Sequence, residues 1–231
     1  MSNELLWFGL LFLNLFIVII VYRLFGKTGL YIWTAVAVVL ANIQVMKTIQ
    51  IFGMVTSLGN VIYSSIFLTT DILNENHTKK DAQKAVWIGF FVIIATMIIM
   101  QITLQFVPFG DEGSLELSKN LSGVFKFFPR IVFASVVAYF ISQSHDVWFF
   151  AKMKKKHKKK HLWLRNNLST LTSQLLDNTI FTLIAFVGFY ESEVIVQIFI
   201  TSLILKYMVA VFDTPFIYLA RLFKRKERIG F

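Results

Sequence analysis

Three polar stripes at helical spacing are the chemically promising feature of this sequence. Asn167, Thr170, Gln174 and Asp177 follow offsets of 3, 4 and 3, which is one face of a helix, and Phe181 and Gly188 continue it. Ser202, Lys206 and Asp213 share a second stripe with Val209. Ser135, Tyr139, Ser142 and Asp146 make a third, with Gln143 beside it and Arg130 at its start. All three lie in otherwise apolar runs. Carboxylate, ammonium and amide groups in such surroundings suit charge-assisted recognition of a small polar solute. No Ser/His/Asp arrangement is legible, and with no cysteine there is no thiolate nucleophile, disulfide or thiolate metal site. The reading is of a protein that is not an enzyme and needs no cofactor.

The elements that carry these stripes must cross a membrane. Of 231 residues 56% are hydrophobic and only 16% charged, against about 25% charged in soluble domains. Such a chain has too little polar surface to cover itself in water, which argues against a soluble enzyme and against disorder. A bilayer core takes about 20 mostly apolar residues per helix. Seven stretches qualify: Leu5–Tyr22, Leu30–Met46, Ser57–Leu73, Ala85–Val107, Pro129–Phe150, Asn167–Tyr190 and Val194–Ala220. The fold class expected is therefore an all-α polytopic transmembrane bundle. Only Met1, Ser2, Asn3 and Glu4 precede the first run, so it is expected to stay in the membrane rather than be cleaved.

The connections between spans test the count. Their Lys and Arg numbers, from the first connection to the tail, are 2, 1, 3, 2, 8, 0 and 5. The larger numbers alternate, so the positive-inside rule puts the N-terminus outside and the tail in the cytoplasm of a cell-membrane protein. The same distribution removes the nucleic-acid reading of the +10 net charge: the run Lys154–Lys160 has no interleaved aromatics and faces anionic lipid. Gly26-Lys27-Thr28 lacks the upstream glycine of a phosphate loop, since position 21 is Val21. His157 and His161 are spaced like zinc ligands but have no third ligand nearby.

Depth singles out two charges. Asp177 lies about 15 Å and Lys206 about 18 Å into their spans, both near the midplane. A short loop makes spans six and seven antiparallel neighbours, so the two can meet. They form either a structural ion pair or a ligand site built on the same charges, and the two readings are compatible. Spans two and three add Asn42, Gln44, Lys47, Asn60 and Tyr63. Asn42 and Gln44, two apart, cannot share one helix face. Asp71 and Asp146 read as helix-end groups, the latter wet, and Glu75 as a solvated loop residue. A polar cavity with aromatic walls is the expected site for a small, flat, polar solute.

Three blocks carry a resemblance to a known family. The first is Ala41-Asn42-Ile43-Gln44-Val45-Met46-Lys47, followed by Thr56-Ser57-Leu58-Gly59-Asn60-Val61 and Phe67-Leu68-Thr69-Thr70-Asp71. The second is Pro129-Arg130-Ile131, leading to Ser142-Gln143-Ser144-His145-Asp146-Val147. The third is Leu162-Trp163-Leu164-Arg165-Asn166-Asn167-Leu168-Ser169-Thr170, then Gln174 and Asp177. The chain resembles the queuosine precursor transporters, also called the vitamin uptake transporter-like family. The resemblance implies import of a 7-deazaguanine base (7-cyano-7-deazaguanine, its 7-aminomethyl relative, or queuine) for tRNA modification. Another flat heterocyclic vitamin, or a membrane sensor that transports nothing, is the alternative. It also implies a six-helix unit over 29–231, similar to the substrate-binding components of energy-coupling-factor transporters, with residues 1–28 as an additional N-terminal helix and connection. The basic loop 151–165 and basic tail then face the cytoplasm. Such a unit works with separate energy-coupling ATPase subunits or on a gradient. The residues expected to bind substrate are Asp177, Gln174, Lys206, Arg130, Asn42, Gln44, Asn60, Tyr139, Gln143 and Phe181.

Overall fold

A computed structural model describes residues 2–45, 47–125, 129–156, 162–188 and 191–227. The pair His157 and His161, most of the run Lys154–Lys160, and the span ends Met46 and Tyr190 lie outside these residues. The elements in order are α1 (Asn3–Gln44), β1 (Thr48–Ile51), β2 (Met54–Ser57), α2 (Gly59–Asn76), α3 (Lys79–Thr103), α4 (Glu112–Phe125), α5 (Pro129–Lys156), α6 (Leu162–Phe186) and α7 (Ser192–Glu227). The protein is an all-α membrane bundle.

The first two sequence runs form one element, α1, which folds back on itself. Gly26 interrupts it with φ 56° and ψ −141°, a conformation only glycine adopts without strain. Asn3 donates to the Gln50 carbonyl and Glu4 accepts from the Phe52 amide, while Gln44 leads directly into β1. Both ends of α1 therefore lie at the same end of the bundle, beside the β hairpin. The turn at Gly26 lies at the opposite, basic end. There Lys27 pairs with Asp81 at 2.9 Å, and Thr78 and Asp81 form the capping box that starts α3. Burial pushes the Asp81 carboxyl up, but hydrogen bonds from Thr78, Lys27 and Tyr31 outweigh it and hold it well below the usual carboxylate range.

Two features fall in connections that the sequence leaves unstructured. The β hairpin pairs Thr48 with Ser57 through Ile51 with Met54, closing on Phe52 and Gly53, both at positive φ. Helix α4 has no buried residue and touches the bundle chiefly at α3, where Gln101 donates to the Phe125 carbonyl. It packs as a surface helix rather than as part of the core.

Among the described residues, three helices are long and apolar enough to cross a membrane on composition: Asn3–Gln44, Lys79–Thr103 and Ile195–Lys224. Helices α2, α5 and α6 fall short because of residues such as Thr69, Thr70, Asp71, Gln143, Asp146, Ser173, Gln174 and Asp177, all of them buried. Their polarity faces inward. The outer surface carries Phe91, Ile99, Phe106, Leu183, Ile200 and Val211, each more than two-fifths exposed. This is the inverse of a soluble protein and fits a lipid surround.

The N-terminal half of α1 is part of the core. Trp7, Leu11, Leu15, Val18 and Tyr22 are buried, Asn14 donates to the Val61 carbonyl of α2, and Phe8 and Phe16 meet Phe212 and Phe216 of α7 edge to face. Where α2 begins, Gly59 sits against the other half of α1. A Cβ there would lie 2.5 Å from the Ala41 carbonyl oxygen and 2.9 Å from the Val45 nitrogen. Both neighbours are backbone and cannot rotate away. Gly59→Ala should therefore destabilise the bundle by about 1–3 kcal/mol, read as a lowered Tm of the detergent-solubilised protein; an unchanged Tm would show that the two helices are free to separate.

Candidate functional site

A cleft opens at the hairpin end and reaches toward mid-bundle. Asn42 and Val45 from the end of α1, with Gly59 and Asn60 from the start of α2, line its mouth. Deeper in, α2 contributes Tyr63, α5 Ser135 and Tyr139, α6 Asp177 and Phe181, and α7 Lys206.

The floor of the cleft is one carboxylate. Asp177 Oδ2 accepts from Lys206 Nζ at 2.6 Å, and both side chains are only about 5% exposed. Asp177 Oδ1 accepts from the Tyr63 hydroxyl at 2.7 Å and from Ser142 Oγ at 3.2 Å. Four helices thus meet at one side chain. The Lys206 ammonium also lies 5.8 Å from the centre of the Tyr63 ring, within cation–π range. Tyr63 and Tyr139 wall the site and pack edge to face, with Phe67 behind Tyr63. Tyr139 is held by a close approach of α3, where a Cβ on Gly89 would overlap the Tyr139 hydroxyl. A buried ammonium, a carboxylate with one donor from each neighbour, and an aromatic wall can grip a flat polar ring by its edge and its face.

Residues 57–220 match the family model described as "Putative vitamin uptake transporter". Across 222 residues, 96% of each chain, the sequence is 39% identical to a protein of Bacillus subtilis (strain 168) named "Probable queuosine precursor transporter". No solved structure matches it. The chain belongs to this transporter family.

In this transporter six of the ten sequence-predicted residues gather at the cleft: Asp177, Lys206, Asn42, Asn60, Tyr139 and Phe181. The other four lie elsewhere. Arg130 donates to the Ile184 and Val187 carbonyls, capping the C-terminal end of α6, where the helix dipole favours a cation. Gln44 sits at the end of α1 with its side-chain oxygen buried and unpaired. Gln174 and Gln143 are buried below the floor; neither amide atom of Gln174 has a partner, whereas Gln143 Oε1 accepts from Thr70.

Three readings of the sequence need correction. Asp146 is not wet and Asp71 is not a helix-end group: both are 0% exposed, because α2, α5 and α6 close around them. Glu75 is not solvated. Its side chain is 4% exposed and pairs with Lys154 at 3.7 Å and Arg221 at 3.5 Å.

Sequence reasoning missed the part played by Tyr63. The residue stands out as a polar group of α2, but nothing in its spacing reveals that its hydroxyl reaches Asp177 114 positions away. Ile93 of α3, which also lines the cleft, and Gly89, which lets Tyr139 approach, carry no polar signal at all.

Removing one partner of a buried ion pair strands the other charge, which costs about 3–5 kcal/mol. Asp177→Asn should therefore lower thermal stability strongly. Asp177→Asn combined with Lys206→Met removes both charges and should recover most of that loss. Equal destabilisation in single and double variants would show that Asp177 and Lys206 do not interact energetically.

Proposed function

We propose that this transporter imports a 7-deazaguanine base, such as 7-cyano-7-deazaguanine, across the cell membrane. The observation that carries the reading is the Asp177 carboxylate at the floor of an aromatic cleft, with a displaceable ammonium beside it. A guanine-like edge presents a ring N–H and an exocyclic NH₂ side by side, and a carboxylate accepts both. Asp177 would exchange its Lys206 and Tyr63 donors for those of the base. Lys206, released, would donate to the ring carbonyl, and Tyr63, Tyr139 or Phe181 would cover a ring face. The relative in Bacillus subtilis lends support through its name.

In this reading residues 29–231 are the transport unit and the helix before Gly26 braces it against α2 and α7. The basic end faces the cytoplasm and the hairpin end the exterior. The chain has no cysteine, so single cysteines report sidedness. Lys156→Cys should resist an impermeant thiol reagent in intact cells, and Glu191→Cys should react. Labelling at position 156 would reverse the orientation.

Asparagine in place of Asp177 sets a donor where the base needs an acceptor. Asp177→Asn should weaken binding of 7-cyano-7-deazaguanine by about 5- to 150-fold, the effect of leaving a buried donor unpaired. If Asp177→Asn with Lys206→Met imports the base normally, Asp177 is only the partner of Lys206 and the recognition scheme fails. Uptake of the labelled base by cells lacking their own synthesis, with expression of each variant checked, provides the measurement.

A further inference from the structure

Below the cleft lies a second polar layer that base recognition does not use. Asp146 stands seven residues beyond Tyr139 on α5, Asp213 seven beyond Lys206 on α7, Asp71 eight beyond Tyr63 on α2, and Thr170 seven before Asp177 on α6. Two helical turns on each helix set the layer about 10 Å nearer the basic end than the site.

The three carboxyl groups are 0%, 0% and 1% exposed for Asp71, Asp146 and Asp213. Hydroxyls and one amide surround them. Thr170 donates to Asp71 at 2.9 Å, Ser169 to Asp146 at 2.7 Å, and Asn166 to Asp213 at 3.0 Å. Among the described residues no Lys or Arg pairs with any of the three, so nothing like Lys206 offsets their charge. Three uncompensated carboxylates in a dry interior are prohibitively costly. The titratable groups acting on them are one another: Asp146 and Asp213 face Asp71, and Asp146 faces Asp213. Among the described side chains of α6 the acid is Asp177, two turns away and paired with Lys206, and on α5 His145 precedes Asp146 and meets Ser173.

A second, independent observation points to a ligand here. Gln143 is fully buried and aims its amide at the layer: Oε1 accepts from Thr70, which also leans toward Asp146, while Nε2 has no partner. Asp71 Oδ1, Asp213 Oδ2 and Asn166 Oδ1 are buried acceptors without donors. Acceptors outnumber donors, as at a site that takes a cation. Thr170 donates to Asp71 and Thr70 leans toward Asp146, yet Asp71 Oδ1 and Asp213 Oδ2 stay unpaired in a dry interior, where a carboxyl group is accommodated by carrying a proton. The smallest cation fits without further ligands.

We propose that Asp71, Asp146 and Asp213 form a proton-binding site through which this transporter draws on a proton gradient. The link to the cleft is short. Ser142 donates to Asp177 and the next residue, Gln143, accepts from Thr70 beside Asp146. A base that takes over Asp177 shifts Ser142, and with it the amide that reads the carboxyl layer. Coupling rests on the import reading above; the proton site itself does not.

Two measurements on the purified full chain separate these claims. Infrared difference spectra with proton–deuteron exchange should show the carbonyl stretch of a buried protonated carboxyl at neutral pH. Asp146→Asn and Asp71→Asn should each remove or shift it. Absence of the band in the wild type overturns the proposal. In proteoliposomes with the membrane potential clamped, an inward proton gradient of about one pH unit should concentrate labelled 7-cyano-7-deazaguanine about tenfold per proton carried. Asp146→Asn should still exchange internal for external base, which shows that it is folded, yet fail to accumulate it. Accumulation driven by sodium, or only by ATP with added coupling subunits, overturns the proposal. Wild-type protein that shows the band but exchanges no base sinks the substrate reading and supports the proton site.

Discussion

A carboxylate and an ammonium 2.6 Å apart, in a bundle that presents Phe and Ile to its surroundings, set the terms for everything around them. Neither charge could be held alone at that depth, because desolvation costs several kcal/mol per ion even after relaxation. Together they are tolerable only if the remaining lone pairs are also satisfied. Tyr63 and Ser142 do this from two further helices. The requirement to complete the solvation of Asp177 therefore fixes the relative positions of α2, α5, α6 and α7. Those are also the helices that line the cleft.

The same constraint explains which helices look like membrane spans and which do not. Helices α1, α3 and α7 carry runs apolar enough to stand in lipid by themselves. Helices α2, α5 and α6 do not, and they are the ones whose hydroxyls, amides and carboxyls fill the interior. α5 and α6 pack along most of their shared length, joined by Ser169 on Asp146 and His145 on Ser173. Their mutual contact hides polar groups that lipid would reject. A polar helix in a membrane is thus evidence of neighbours, and its stripe names the side on which they lie.

How much of this was legible beforehand follows from the range of each interaction. The stripes Asn167–Asp177 and Ser202–Asp213 are local patterns, so the meeting of Asp177 and Lys206 could be anticipated from spacing and a short connection. The apolar, helical character of the chain was legible for the same reason, and the fold-back at Gly26 joins the first two runs as the loop between them suggests. Tyr63 on Asp177 could not be read, because no periodicity links positions 114 apart. The hairpin at 48–57 was hidden because only about four residues on each strand alternate, too few to stand out from an apolar run. Arg130 was ambiguous: a cation at the start of one helix gains little there, and only the three-dimensional fold shows that it lies at the end of another.

The two ends of the bundle are closed by different physics. At the hairpin end the cleft is bordered by Asn42, Val45, Gly59 and Asn60, with no ion pair across the mouth among the described side chains. At the basic end Glu75 holds both Lys154 and Arg221, Lys154 donates to the last carbonyls of α2, and Asn76 ties Tyr22 of α1 to the Ala220 carbonyl of α7. These contacts bind α1, α2, α5 and α7 where they leave the apolar layer. Arg221 is nearly half exposed, so its pairing with Glu75 is partly screened by solvent, whereas Asp177 and Lys206 are almost wholly buried. A solute that takes over the Asp177 contacts from within supplies the differential interaction that a change of state requires, while the clamp at the basic end supplies an arrangement weak enough to respond.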